Sequence, residues 1–478
     1  MHANNKTTWM NPISSEVDSV PTSTKFKEDL LRIKNDLIDN VLRQSEDGIK
    51  LGARNIYTDP ELFELEMRYL FEGNWIFAAH DSQLPNVNDF LTLQVGRQPV
   101  LLTRGQDGAV NAFLNVCAHR GARVCREKTG NKKIHMCGFH GWCYNATGAL
   151  VNVTDEAEGG YPASFDRKQL GLTPVGRVES YRGFIFVSLK KDVQSLEDYL
   201  AGAKLFIDLI VDQSPTGELE VLPGETSYSF SGNWKLAAEN GLDGYHVGTV
   251  HGNYIMTTKR RLKEVAANPT KNLDVSNWGD GDSGFFAFDN GHGVLYAPYE
   301  NYQDRPAFEL HDDYVKKFGP DYADWITKKI RNLLLMPNVF LMDQMSSQIR
   351  MIRPVSVNMT ETITFCIAPV GESPAARERR IRQYEDFFNA TGMATPDDLT
   401  EFRNCQLGYM ASGSPWNELS RGHERWVHGA NESGKKLGVN ALSSGSQAAD
   451  EGIYVSILQE WARQLSEAID RELAEEVQ

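Results

Sequence analysis

The spacing of apolar and polar positions changes character along the chain. Between residues 24 and 43, Phe26, Leu30, Ile33, Leu37 and Val41 recur at steps of three and four, which puts them on one face and predicts a packing helix. A second helix is predicted to start at Asp59-Pro60, where Asp can cap and Pro suits the first helical position, and to continue through Leu62, Leu65, Tyr69 and Leu70. From about residue 90 to residue 189 short β-rich runs at 90–93, 99–102 and 184–187 alternate with Gly- and Asn-containing turns, which predicts a small all-β domain. Beyond Val221 strands are predicted around 226–230, 339–342, 348–353 and 362–367, with helices between them. Ser373-Pro374 opens a helix running to Phe388, and Tyr454, Leu458, Trp461, Leu465 and Ile469 form a closing amphipathic helix. The class expected is α+β, divided into a helical extension at 1–50, a β domain with its leading helix at 51–200, and a larger domain at 201–478. No repeat or low-complexity linker separates the two domains, so they are expected to pack closely.

Composition and charge narrow the function classes. The 478 residues carry 64 Asp and Glu against 49 Lys and Arg, a net charge of −15, with 41% apolar and 24% charged positions. That is ordinary for a soluble chain of two or three domains. The acidic balance argues against nucleic acid or an anionic membrane as partner, because phosphates need clustered Lys and Arg. The basic run Arg377, Arg379, Arg380, Arg382 reads as the solvated face of a helix. No apolar stretch approaches the roughly 20 residues of a membrane span, and the first residues lack the apolar centre of a secretory signal. A cytoplasmic location is expected. Six cysteines are too sparse for a disulfide scaffold; Cys366 and Cys405 read as small buried hydrophobes. Cys117, Cys125, Cys137 and Cys143 crowd together and raise the question of which thiols bind metal.

Cys117 and His119 are followed by Cys137 and His140 in the pattern C-x-H-x17-C-x2-H. Two loops that each offer one thiolate and one imidazole can place both Cys on one iron and both His on the other, the ligand set of a Rieske [2Fe–2S] centre. Gly121, Gly138 and Gly141 permit tight turns and close backbone approach there. A structural zinc site is the alternative, although zinc fingers usually order a Cys pair before a His pair. Cys125, Cys143 and His135 lack the spacing and read as packing or surface residues.

The second constellation lies in a glycine-rich stretch with Asp243, His246 and His251. Asp243 and His246, three apart, share a helical face, whereas His251 joins them only where the helix is broken or distorted. Two imidazoles and one carboxylate on one face of an octahedron leave three positions open, the arrangement of non-haem Fe(II) sites that bind O2 beside a substrate. Asp243 is the nearest carboxylate, but acids also orient ligand histidines, and the local sequence leaves both roles open.

With both motifs in this order the chain resembles the large (α) subunit of Rieske non-haem iron ring-hydroxylating dioxygenases over most of residues 50–460. It is most similar to the benzoate, toluate and anthranilate 1,2-dioxygenase group in Phe71-Glu72-Gly73-Asn74-Trp75, in the runs 212–220 and 382–389, and in Leu341-Met342-Asp343-Gln344. The resemblance implies a helix-grip-like catalytic domain and a mononuclear iron held by His246, His251 and Asp398, the second acid of the pair Asp397-Asp398. Asp243 is then implied to be a bridge from His246 to the cluster ligand His140, across a subunit boundary in an α3β3 assembly with a small β subunit. Asn240 and Phe388 are implied pocket residues. Two departures stand out: Gly138-Phe139 in the second cluster loop, and Gly252, where the benzoate-like group carries an aromatic residue. The missing ring is expected to open on the order of 100 Å³ beside the iron and so to disfavour plain benzoate.

The activity implied uses NADH-derived electrons, delivered by a separate flavin and iron–sulfur reductase, to add both atoms of O2 to an aromatic carboxylate. The product is a cis-diol, or a catechol where an ortho amino or halogen group leaves with CO2. No GxGxxG fingerprint occurs in a strand-to-helix setting, so no nicotinamide site is expected in this chain. The rival readings are a monooxygenase or demethylase with the same two centres and a non-catalytic zinc-binding protein. A buried substrate carboxylate needs a cationic or multi-donor partner, for which Arg331, Arg350 and Arg353 are candidates.

Overall fold

In the computed structural model, which describes residues 23–156, 159–264, 281–344 and 347–475, the alternating runs of the first half become three small antiparallel sheets. One has the order Val110–Leu114, Gln98–Arg104, Asp89–Val95, Thr129–Asn131; a second joins Leu150–Asn152, Cys143–Asn145 and Ile134–Met136; the third joins Arg177–Tyr181, Phe184–Ser188 and Ile76–His80. Val100, Leu101 and Leu102 are all fully buried, so their strand is covered on both faces and reads as an apolar run rather than an alternation.

The second half is organised on a ten-stranded antiparallel sheet. Its order is Leu219–Val221, Met359–Pro369, Ser347–Ser356, Val339–Asp343, Lys329–Leu335, Gly293–Pro298, Gly284–Ala287, Ser443–Gly445, Val427–His428, with Thr226–Phe230 also paired to Met359–Pro369. The strands Lys329–Leu335 and Val339–Asp343 are buried along their whole length, because helices and the β domain cover the sheet. The closing helix Gly452–Glu475 buries Ile453, Leu458, Trp461, Leu465 and Ile469. The first helix, Ser23–Asp39, packs on it through the face that carries Leu30, Ile33 and Leu37. The α+β class is therefore as expected.

Residues 50–71 depart from the expected division. Lys50–Ala53 pairs with Trp416–Glu418 of the larger domain. Asp59 caps the helix Pro60–Glu66, and at its end Glu66 is fully buried, accepting N–H bonds from Trp234 at 2.8 Å and Trp461 at 2.9 Å and pairing with Lys235. A buried charge pair is tolerated only when its remaining hydrogen-bonding capacity is met in this way. Burial lowers the pKa of Lys235, against the pull of Glu66. The segment expected to lead the β domain thus anchors the helix Trp234–Asn240 of the larger domain, while its Glu64, with Glu72, pairs with Arg97 of the β domain. The two domains also meet directly, the Asn338 amide bonding both the N–H and the carbonyl of Phe77 at 3.0 Å.

Two further expectations are corrected. Arg380 is only 2% exposed, paired with Glu372 at 2.8 Å and donating to Ser347 Oγ, while Arg377 pairs with Glu372 and Glu220. Arg377 and Arg380 of the basic run therefore dock the helix Pro374–Phe387, because Glu372 supplies the counter-charge, while Arg382 faces solvent as expected. Cys366 is buried as expected, but Cys405 is exposed on the helix Thr395–Tyr409. No helix among the described residues is long and apolar enough to cross a membrane.

Candidate metal centres

The two loops of the first constellation are built alike. In each the Cys N–H donates to the carbonyl five residues on, Cys117 to Ala122 and Cys137 to Trp142, both at 2.8 Å. In each a glycine four residues on donates back to the Cys carbonyl, Gly121 at 2.9 Å and Gly141 at 3.0 Å. These glycines have φ of +72° and +74°, a left-handed conformation that a side chain would strain. Cys117 and Cys137 are buried, and Tyr144 Oη lies 3.3 Å from Cys117 Sγ. Burial, with the contact to Cys117, pushes the Tyr144 pKa up. His119 and His140 occupy the exposed loop tips with ring centroids 4.5 Å apart, His119 stacking on Trp142. Two thiols below and two imidazoles above fit a binuclear cluster with one inner and one outer iron. Cys125 and His135 are buried and Cys143 is half-buried.

The second constellation starts from the helix Trp234–Asn240, capped by Asn233. The chain turns at Gly241, where any side chain would collide with the Phe340 ring. Asp243 Oδ1 then accepts the N–H of Tyr245 at 2.6 Å and of His246 at 3.3 Å. The helix Val247–Val250 stops at His251, whose φ of −96° and ψ of 22° break it before Gly252–Lys263 begins. This break turns the second imidazole back toward the first, leaving the two Nε2 atoms 3.2 Å apart. Asp398 arrives from the first turn of Thr395–Tyr409, its Oδ1 at 3.2 Å from His251 Nε2 and 3.5 Å from His246 Nε2.

Donors about 2.1 Å from one metal and at right angles to each other are about 3 Å apart. The three atoms thus fit a single ion without rearrangement of the backbone, and their residues form a group whose ligand atoms all lie within 4.8 Å. Asp243 touches the other side of the imidazole, with Oδ2 at 3.3 Å from His246 Nδ1. Burial opposes protonation of His246, but Asp243 and Asp398 outweigh it and raise the pKa.

A cavity of about 30 Å³ adjoins the three donor atoms, its wall including Asn240, Tyr254, Met342, Arg350, Phe387 and Phe388. Asn240 Nδ2 lies 3.3 Å from Asp398 Oδ1 and 3.4 Å from His246 Nε2. Among the described residues Gly252 is not on this wall, and a Cβ added there would meet no heavy atom within 4 Å. Gly252 opens the next helix, and the space beside its Cα is open among the described residues. Of the three candidate arginines, Arg331 is paired with Asp343, which Arg305 shares at 2.8 Å. Arg353 pairs with Glu361. Arg350 alone of the three reaches the cavity, with its guanidinium 4.8 Å over the Phe388 ring. Tyr254 also lines it, as do Phe387, Met342 and Gln344, whose segments carried the family likeness without any mark of a pocket role, since inward-facing strand and helix positions look like ordinary core.

Residues 74–181 match the Rieske [2Fe-2S] domain, and residues 220–473 match the ring hydroxylating alpha subunit (catalytic domain). The pairing defines the class, an iron oxygenase of two domains and two metal centres. The chain is 47% identical over 439 residues to toluate 1,2-dioxygenase subunit alpha of Pseudomonas putida, covering 91% of this chain and 96% of that one. It is 48% identical over 433 residues to the anthranilate 1,2-dioxygenase large subunit of Acinetobacter baylyi, covering 89% and 91%. A solved naphthalene 1,2-dioxygenase with indole in its active site superposes with a TM-score of 0.75 at 26% identity, over 88% of this chain and 93% of that one. The chain belongs to the ring-hydroxylating dioxygenase alpha-subunit family, and its cofactors are a Rieske [2Fe–2S] cluster and a mononuclear iron. The zinc-binding reading is thereby overturned.

Proposed function

We propose that this chain is the large subunit of a terminal oxygenase that cis-dihydroxylates an aromatic carboxylate, a benzoate or an ortho-substituted benzoate such as anthranilate. The convergence of His246, His251 and Asp398 on one point beside a mostly apolar cavity carries the reading, and the similarity to toluate and anthranilate dioxygenases supports its substrate class. His246, His251 and Asp398 hold the iron; Cys117, His119, Cys137 and His140 hold the cluster. When bound, these groups supply single electrons and a site for O2 beside the substrate. Asp243 fixes the orientation of His246 through Nδ1 and, being partly exposed, can meet His140 of a neighbouring subunit. Asn240 steadies the Asp398 carboxylate, and Phe388 packs against the substrate ring and excludes water. In this reading a small β subunit completes an α3β3 assembly, a separate reductase with flavin and an iron–sulfur centre supplies electrons from NADH, and the enzyme works in the cytoplasm. An ortho amino or halogen substituent on the attacked carbon leaves with CO2 to give a catechol.

The test is turnover of benzoate, anthranilate and 2-chlorobenzoate under 18O2 with NADH and a reductase. Both labelled atoms are expected in the diol or catechol. A singly labelled phenol would mean monooxygenation.

A further inference from the structure

We infer that Arg350 anchors the carboxylate of the substrate in the mononuclear-iron cavity, an inference that rests on the aromatic-carboxylate reading above. Arg350 lies in the strand Ser347–Ser356, in register with Phe340 on one side and Thr364 on the other. Pairing inside the sheet fixes its backbone, and the side chain is 5% exposed yet forms part of the cavity wall. Its position is set by the rigid sheet and not by a loop, as a positioning group requires.

The guanidinium has no hydrogen bond or ion pair to any described residue, and its buried Nε is without a partner. An arginine keeps its charge at any physiological pH and offers five N–H donors and no acceptor. Phe388 below it supplies a cation–π contact but no acceptor oxygen. Asp398, the acid on the same cavity wall, has Oδ1 engaged with His246, His251 and Asn240. Tyr228, whose pKa burial raises with Arg350 opposing and Asp398 adding, lies close enough to sense both charges.

A buried cation without a counter-ion is costly, and the other two candidate arginines escape that cost through Asp343 and Glu361. The natural complement of Arg350 is therefore an anion that arrives from outside, and a planar carboxylate matches the guanidinium by two parallel hydrogen bonds. An aromatic acid held so has its charged end fixed and its ring in the apolar part of the cavity, which directs one edge of the ring at the iron donors.

Equilibrium dialysis of the complete iron-loaded oxygenase with labelled benzoate, and with benzamide as the uncharged analogue, tests the inference. Arg350→Met is expected to weaken benzoate at least roughly 30-fold, the low end for loss of one partner of a buried charge pair. Benzamide is expected to change less than about threefold, iron and cluster to be retained, and the ligand-free Tm to hold or rise because an unpaired buried charge is gone. Benzoate is expected to raise the Tm of the wild type and not of this variant. Arg350→Lys, the milder replacement, keeps the charge but not the two-point geometry, and is expected to lose roughly tenfold.

Unchanged benzoate affinity in either variant would overturn the inference. Loss of iron in both variants would also overturn it, since Arg350 would then be supporting the metal site. If the wild type binds neither benzoate nor its ortho-substituted derivatives, the aromatic-carboxylate reading fails and the anchor with it, an outcome visible before any variant is made.

Discussion

The two metal regions solve opposite problems. The cluster loops carry all four ligands within 24 positions, hold two thiols inside and leave two imidazoles at the surface. The mononuclear site gathers two imidazoles from a broken helix and a carboxylate from about 150 residues downstream, and buries His251 and Asp398. An electron entry must be reachable from outside, so exposure of His119 and His140 suits it. A centre that binds O2 beside an aromatic ring gains from exclusion of water, and a buried site demands support from the whole domain. That support is visible: Glu66, bonded to Trp234 and Trp461 and paired with Lys235, secures the helix that leads to Asn240 and Asp243.

If the two regions are independent, single substitutions should separate them. His251→Ala is expected to lower iron from about three to about two per chain, keep the cluster absorption, and cut turnover by roughly a thousandfold or more, because one of three ligands is gone. Iron analysis with the visible spectrum checks this; a variant that lost both centres would show that the cluster domain depends on the mononuclear site. The link between them is the next target. Asp243→Asn preserves shape and removes the charge that orients His246 through Nδ1. It is expected to retain both metals while slowing cluster reoxidation in single turnover by about 10- to 100-fold, the usual scale for a residue that positions a metal ligand.

The same contrast governs what could be read from the sequence. The cluster motif was legible because Cys117, His119, Cys137 and His140, proposed as its ligands, and the turn glycines are local. The helix break at His251 was also foreseeable, since a five-residue spacing cannot keep two side chains on one face. Asp398 was reachable only through family likeness, because nothing local marks one acid among 64. Arg380 misled because a counter-charge at Glu372 is a tertiary fact, and the hold of the leading helix on the larger domain was not legible because Glu66 reveals its burial only when Trp234, Lys235 and Trp461 surround it. Gly252 is a different case: it follows a ligand along the chain, but the helix restarts between them and it is not among the residues that line the cavity.

Burial gives both regions a response to acid, since it pulls the pKa of His80 in the β domain and of His292 in the larger domain down to about 4. In the larger domain His292 is fully buried; its Nε2 bonds the Tyr199 carbonyl at 2.8 Å and its Nδ1 accepts the Met336 N–H at 3.0 Å. This pairing fixes a neutral imidazole, and burial pulls its pKa down to about 4. The folded form then binds fewer protons than the unfolded one between about pH 4 and pH 6.5, so stability is full above about 6.5 and falls as the pH drops through about 4. The share of the loss due to His292 is expected to be about 3 kcal/mol, with His80 acting over the same range. Chemical denaturation across that range, compared with His292→Gln, checks it; an equally steep pH dependence in the variant would assign the effect elsewhere.

The smallest effect is expected at Gly252. Its backbone needs no left-handed conformation, and a Cβ there meets no heavy atom within 4 Å. As the first residue of Gly252–Lys263 it stands at a position where alanine is better tolerated by a helix than glycine. Gly252→Ala is therefore expected to leave iron content and the order of preference among benzoate, anthranilate and 2-chlorobenzoate unchanged, and to raise stability by about 0.4–1 kcal/mol through reduced freedom of the unfolded chain. Competition assays with the three acids, alongside denaturant titration, decide the matter. A change in substrate order without loss of iron would mean that this residue faces the substrate after all, and that the cavity wall extends past His251 when substrate is bound. No change would leave ring selection to Phe388 and Arg350, which do stand on that wall.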